Sequence, residues 1–242
     1  WITRVPIRMH TVAGMPLTVA TGFKKRLLAW MEQLTYACAT DVYPNSKGLA
    51  QIILQEKFTS PKKLHVIGHG SSNGIYLAHF DVSLITAEER AQLRYKYGIA
   101  PDDFVYVFVG RLVGDKGINE LISAFHSLPD SRMKLVLVGR FESDLDPLQP
   151  KTLQLIEADS RIVHVGYQTD VRPFFAFADV LVFPSYREGF PNVVMQAGAM
   201  GLPCIVSDIN GCNEIVIQDK NGIIIPPKNE TDLREAMVRL AE

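Results

Sequence analysis

Residues 104–117 read FVYVFVGRLVGDKG. A continuous apolar run stops at Gly110 and gives way to charge. Short apolar runs rich in Val and Ile mark strands buried on both faces, the habit of parallel sheets covered by helices. The signature recurs along the chain, giving strand candidates at 6–12, 41–44, 64–67, 104–109, 134–138, 162–165, 179–183, 203–207 and 222–225. Helical patterns fill the gaps. Residues 18–39 place Phe23, Leu27, Trp30, Met31, Leu34 and Cys38 at helical spacing. Ser46 is set to cap a helix over 47–57, and Thr86 with Glu89 forms a capping box for 87–97. Further helices are expected near 117–127, 150–158, 171–177, 192–200 and 231–241. Strand and helix alternate with short connections, so the expected fold is α/β with a doubly wound parallel sheet.

The chain has 242 residues, room for one large domain or two small ones. It is 47% hydrophobic and 21% charged, a globular composition that excludes disorder, collagen and coiled coil. Its most apolar stretches fall far short of the roughly 20 residues that a bilayer span requires. Three cysteines without Cys-x-x-Cys spacing argue for a reducing, cytoplasmic setting and against a disulfide framework or structural zinc. The net charge of −1 excludes a dominant nucleic-acid footprint. It hides an asymmetry: residues 1–80 carry nine Lys and Arg against three Asp and Glu, whereas the remainder is acidic. The Gly- and Ser-rich stretch 68–85 falls at that switch and is expected to join two units, 1–80 and 81–242. The second holds six βα repeats; the first resembles the tail of a domain. The chain starts at Trp1, not Met, and is expected to lack its true N-terminus.

Several chemistries are not signalled. There is no GxxxxGK[ST] loop, no GxGxxG after a strand and no HExxH. Two stretches do carry a signal. In the first, Gly110 turns the chain beyond a strand end, so Arg111 and Lys116 would project where open parallel sheets bind ligands. Two cations there suit a diphosphate, although a solvated surface turn fits the residues equally well. The second stretch is PSYREGFPNVVMQAGAMG, 184–201. Pro191 is compatible with a first helical turn, and the amides of Asn192, Val193 and Val194 would form an exposed helix N-terminus that suits phosphate. Glu188 and Gly189 precede it. Glu188 could accept hydrogen bonds from sugar hydroxyls, cap the helix or pair with Arg187.

Together these motifs, followed by AMGLP and a glycine turn, resemble glycosyltransferase family 4. SSNGI at 71–75 resembles the interdomain segment of members that build bacterial polysaccharides and lipid-linked glycans. The resemblance implies a GT-B fold: a complete Rossmann-like donor domain over 81–242 and, over 1–80, the tail of an acceptor-side domain. It implies retaining transfer of a hexose or N-acetylhexosamine, with UDP as the expected nucleotide, to a glycan or polyprenyl-linked acceptor, without a metal or other cofactor. Arg111 and Lys116 would hold the diphosphate, with Gly110 at the turn. Glu188 would bind donor-sugar hydroxyls. The segment Gly189, Phe190, Pro191, Asn192, Val193 and Val194 would line sugar and phosphates. Gln196 stands where the family has a ribose-binding Glu, and Tyr167 where it places base-contacting residues, though Tyr167 reads more readily as a partly buried aromatic packed on the sheet. The family's active-site histidine has two placements here: HT at 10–11 makes it His10, whereas TVAG at 11–14 puts Ala13 in its place.

Lys24, Lys25 and Arg26 beside Phe23 and Trp30 describe either a helix that contacts anionic lipid headgroups or one with solvated charges. Two other functions remain open: a non-catalytic nucleotide-sugar-binding module, and an epimerase or hydrolase on the same fold. The chain as given is expected to bind donor without turnover, because a cleft enzyme needs both walls.

Overall fold

The computed structural model describes residues 4–144 and 146–242. The chain begins with β1 (Met9–Val12), α1 (Gly22–Cys38), β2 (Asp41–Pro44), α2 (Lys47–Gln55) and α3 (Ala87–Lys96). It continues with β3 (Phe104–Val109), α4 (Ile118–His126), β4 (Met133–Val138), α5 (Pro150–Ala158), β5 (Ile162–Gly166) and α6 (Arg172–Phe177). It ends with β6 (Val180–Phe183), α7 (Asn192–Ala199), β7 (Cys204–Ser207), α8 (Cys212–Ile215), β8 (Gly222–Ile225) and α9 (Glu230–Ala241).

These elements form two compact units. One runs to Gly74 and includes Arg187–Asn192 and Ile209–Ile215; the other holds Ile75–Tyr186, Val193–Asp208 and Val216–Glu242. In the larger unit six parallel strands lie in the order β5-β4-β3-β6-β7-β8. The chain builds outward from β3 to one edge, then restarts at β6 and builds to the other. Ligands bind beyond the carboxyl ends of strands at such a reversal. The strand interiors are fully buried, including Val105 to Phe108, Leu135 to Val138 and Val180 to Phe183. Phe108 and Phe183 stack 6.0 Å apart across the reversal. Tyr106, also buried, donates to the Met237 carbonyl at 2.7 Å and so ties β3 to α9. Helix α4 buries Ile118, Leu121, Ile122 and Phe125. Each such side chain contributes roughly 1.5–3 kcal/mol by leaving water.

In the smaller unit β1 and β2 pair in parallel, Met9 with Asp41 through Val12 with Pro44. Val12, Met15, Leu17, Tyr36, Val42, Leu49, Ile53 and Phe58 make its core. The Ser46 side chain accepts from Leu49 N at 3.0 Å, the cap expected of it. The Thr86–Glu89 capping box is present in the larger unit.

Three expectations need correction. Residues 64–67 form no strand; Leu64 makes a single bridge to Val42, between a 3₁₀ turn at Pro61–Lys63 and left-handed Gly68. The first strand spans 9–12 rather than 6–12, and α1 starts at Gly22 because Pro16–Thr18 form a separate 3₁₀ turn. The apolar stripe of α1 lies outside the core: Phe23 is 80% exposed and Trp30 60%, with Leu27, Met31 and Leu34 also exposed. Helix α8 was not expected from the sequence. Among the described residues no cysteine is in a disulfide: Cys204 and Cys212 are buried, and Cys38, at the end of α1, is half-buried. Burial pushes the Cys204 thiol up to about 12. Among the described residues no helix is long and apolar enough to cross a membrane.

Candidate functional site

Strands β3 and β4 end alike. Val109-Gly110-Arg111-Leu112 and Val138-Gly139-Arg140-Phe141 lie side by side, with Val109 paired to Val138 and Leu112 bridged to Phe141. The two chains converge until a Cβ on Gly139 would stand 1.8 Å from the Gly110 carbonyl oxygen. Only glycine fits that approach. The crowding delivers Arg111 and Arg140 as neighbours beyond the strand ends. They line a cavity of about 470 Å³ together with Glu142, Tyr167, Gln168 and Val171. Arg111 Nη1 lies 3.2 Å from Glu142 Oε2. The Arg140 guanidinium lies 4.5 Å from the centre of the Tyr167 ring, which is 59% exposed. Tyr167 thus lies exposed at the cavity rather than packed into the sheet.

The turn after Arg111 is held from both sides. Asp146 accepts from Gly114 N through its backbone carbonyl at 3.1 Å and from Asp115 N through Oδ2 at 2.6 Å. The Asp115 carbonyl accepts from Tyr186 N at 2.9 Å and from the Ser185 hydroxyl at 3.4 Å. Lys116 Nζ rests 5.7 Å from the centre of the Phe183 ring. The Tyr186 hydroxyl donates to Glu120 at 2.5 Å, and burial followed by that carboxylate raises its pKa well above the usual phenol range. These contacts fix the turn that carries Arg111 and Lys116.

In the smaller unit the loop Arg187–Asn192 is held as tightly. A Cβ on Gly189 would stand 2.0 Å from the Ala13 carbonyl oxygen, so the two backbones touch. The Asn210 side-chain amide donates to the Glu188 carbonyl and, at 3.3 Å, to that of Gly189. Glu214 accepts from Lys47 N at 2.8 Å and Gly48 N at 2.9 Å, capping α2 from the segment that carries Asn210. Glu188 and Phe190 are half-buried, and Gly189 and Pro191 are buried. Helix α7 starts at Asn192, directly after Pro191, with Val194 buried and Val193 and Gln196 half-buried.

His10 is half-buried on β1. Alternation along β1 puts it on the same side as buried Val12, with its ring 5.5 Å from that of Tyr36. The residue at the strand's carboxyl end beside Gly189 is Ala13, the second of the two placements. Of the other expected residues, Gly110, Arg111 and Tyr167 meet at the cavity. Sequence reasoning missed Arg140, Asn210 and Glu214. A comparison of the two strand ends, VGRL and VGRF, would have found Arg140; Asn210 and Glu214 act through contacts that no local pattern announces.

The strand order defines a class, the doubly wound α/β proteins, which as a class bind ligands at the topological switch point. The chain belongs to the Glycosyl transferases group 1 family, whose profile matches residues 103–242, more than half of its length. It is 31% identical over 99% of its length to the capsular polysaccharide biosynthesis glycosyltransferase CapM of Staphylococcus aureus, of which it covers 62%. It is 27% identical to an Escherichia coli UDP-Gal:alpha-D-GlcNAc-diphosphoundecaprenol alpha-1,3-galactosyltransferase, covering 98% of the chain and 61% of that protein. In fold it is similar to Anabaena Alr3699/HepE, crystallised with UDP and glucose, at TM-score 0.82 and 20% identity over 97% of this chain and 61% of that one. The GT-B fold is therefore shared. The chain spans about three-fifths of the length of these relatives.

Proposed function

We propose that the chain contributes the donor-binding part of a retaining sugar-nucleotide glycosyltransferase that moves a hexose or N-acetylhexosamine from UDP to a glycan or polyprenyl-linked acceptor. The observation that carries this reading is the pair of glycine-crowded strand ends that project Arg111 and Arg140 over one cavity. Breaking the bond between the anomeric carbon and the diphosphate oxygen leaves negative charge on phosphate. Arg111 and Lys116 neutralise that charge. The acceptor oxygen bonds to the same face of the anomeric carbon, and its proton passes to the departing phosphate oxygen. Glu188 holds sugar hydroxyls, the backbone from Gly189 to Val194 lines sugar and phosphate, and Gln196 meets the ribose as acceptor and donor. Tyr167, stacked with Arg140, offers a flat face to the base.

The test is thermal unfolding with UDP, GDP, ADP and UDP-sugars, beside an Arg111→Ala/Lys116→Ala variant. Ligand at about 100 times its dissociation constant adds roughly 2.7 kcal/mol, a shift of roughly 5–10 °C. UDP species shift the wild-type chain and leave the variant unmoved. A flat wild-type response to every nucleotide counts against the reading.

A second contact is part of the proposal, at the cytoplasmic face of the membrane. The exposed side chains of Phe23, Leu27, Trp30, Met31 and Leu34 lie on one helix with Lys24, Lys25 and Arg26. Apolar area joined to cations suits an anionic lipid surface. Vesicles with anionic lipid should sediment the chain at low salt, and zwitterionic vesicles should not. Equal behaviour with both counts against the contact.

A further inference from the structure

Among the described residues that line the cavity beyond β3 and β4, Arg111 and Arg140 are cationic and Glu142 alone is acidic. Glu142 Oε2 accepts from Arg111 Nη1 at 3.2 Å. It is a single contact, and the other N–H groups of that guanidinium meet no acceptor among the described residues. Arg140 is engaged differently, over the Tyr167 ring. A carboxylate and a guanidinium that share one bond leave most of each fork unused. The two side chains are also open to water, 46% exposed for Arg111 and 35% for Glu142. A pair so placed is weak and readily exchanged. The backbone beneath Glu142 is fixed by comparison. Phe141 bridges Leu112, its ring packs 4.7 Å from that of His164, and His164 Nε2 lies 2.9 Å from the Gly139 carbonyl oxygen. The carboxylate is thus tethered beside Arg111, which gives it a high effective concentration there.

We propose that Glu142 is a built-in competitor for the anion site: its carboxylate occupies Arg111 while the cavity is empty and gives way when a diphosphate arrives. The chemistry is the same on both sides of the exchange, an oxyanion on a guanidinium. Any anion that takes Arg111 must displace this one, and the displaced carboxylate stays close enough to repel it. The cavity therefore holds a diphosphate less tightly than its two arginines alone would, and a diphosphate left behind by transfer is easier to release. That the diphosphate belongs to a sugar nucleotide rests on the proposed donor reading; the competition for Arg111 does not.

The experiment is calorimetric titration of the chain, Glu142→Gln and Glu142→Ala with UDP, inorganic pyrophosphate and uridine. At low salt both variants should bind UDP and pyrophosphate about fivefold more tightly than the wild type, and uridine, which carries no phosphate, within about twofold. The gain should shrink as the ionic strength rises, because the charge removed is screened. Unchanged or weaker binding of pyrophosphate and UDP overturns the inference; a loss would make Glu142 a support that orients Arg111. An equal gain for uridine, or a gain that persists undiminished at high salt, also overturns it, since either would mean a reshaped cavity rather than a removed charge. If the wild-type chain binds pyrophosphate but not UDP, the donor reading fails by itself, and the pyrophosphate titrations still decide the role of Glu142. If none of the three proteins binds either ligand, both readings fail.

Discussion

Gly139 shows how much a single methyl group can decide. Alanine there would drive its Cβ into the Gly110 carbonyl oxygen, backbone against backbone. Gly139→Ala should cost several kcal/mol and lower the Tm by more than 5 °C in a thermal scan. Arg140 tests the cavity with less damage to the fold. Arg140→Ala should weaken UDP binding severalfold, and Arg140→Lys should restore little of it, because the contact with Tyr167 uses a planar guanidinium. Legibility at this scale follows the range of each residue's contacts. Arg111 and Lys116 stand out in the sequence because charge abruptly follows an apolar strand. Asn210 does not, because its hold on the Glu188 loop is a tertiary contact. Two short motifs overlap within five residues, so the sequence offers both His10 and Ala13 for one role.

Among elements, local signals held where they were chemical and slipped where they were only apolar. Ser46 and the pair Thr86 and Glu89 sit at helix starts because their side chains satisfy amides that the helix cannot. Ser46→Ala should cost about 1 kcal/mol of stability in denaturant unfolding. The run 64–67 had the composition of a strand, yet its flanking turns leave it one bridge to β2. The joint between α4 and β5 gives a pH prediction. The Arg161 side chain at 2.8 Å, with His126 Nδ1 also at 2.8 Å, holds the Asp159 carboxyl far below the usual carboxylate range. The unfolded chain binds its proton near pH 4, whereas the folded chain resists doing so. This contribution is therefore complete above about pH 4 and is lost as the pH falls below it. Asp159→Asn should lower the Tm at pH 7, and the gap to wild type should narrow between pH 4 and pH 3.

For the whole molecule, the α/β class and the parallel, doubly wound sheet of the larger unit were legible because six apolar runs alternate with helical periods. The strand order was not, since it is set by which helix faces meet and no local pattern records that. The stripe on α1 likewise could be read as a helix face, but its position outside the core could not. The distribution of thiols has a practical consequence. Cys204 and Cys212 are sealed inside the fold, and Cys38 alone is partly open, at the end of the helix that carries the stripe. A disulfide reagent such as Ellman's should count one fast thiol in the native chain and three in guanidinium. A fluorophore coupled at that single position would sit beside Trp30's helix face and brighten or dim when something covers it. The chain thus brings its own attachment point for watching α1 find a partner, with no cysteine to remove first.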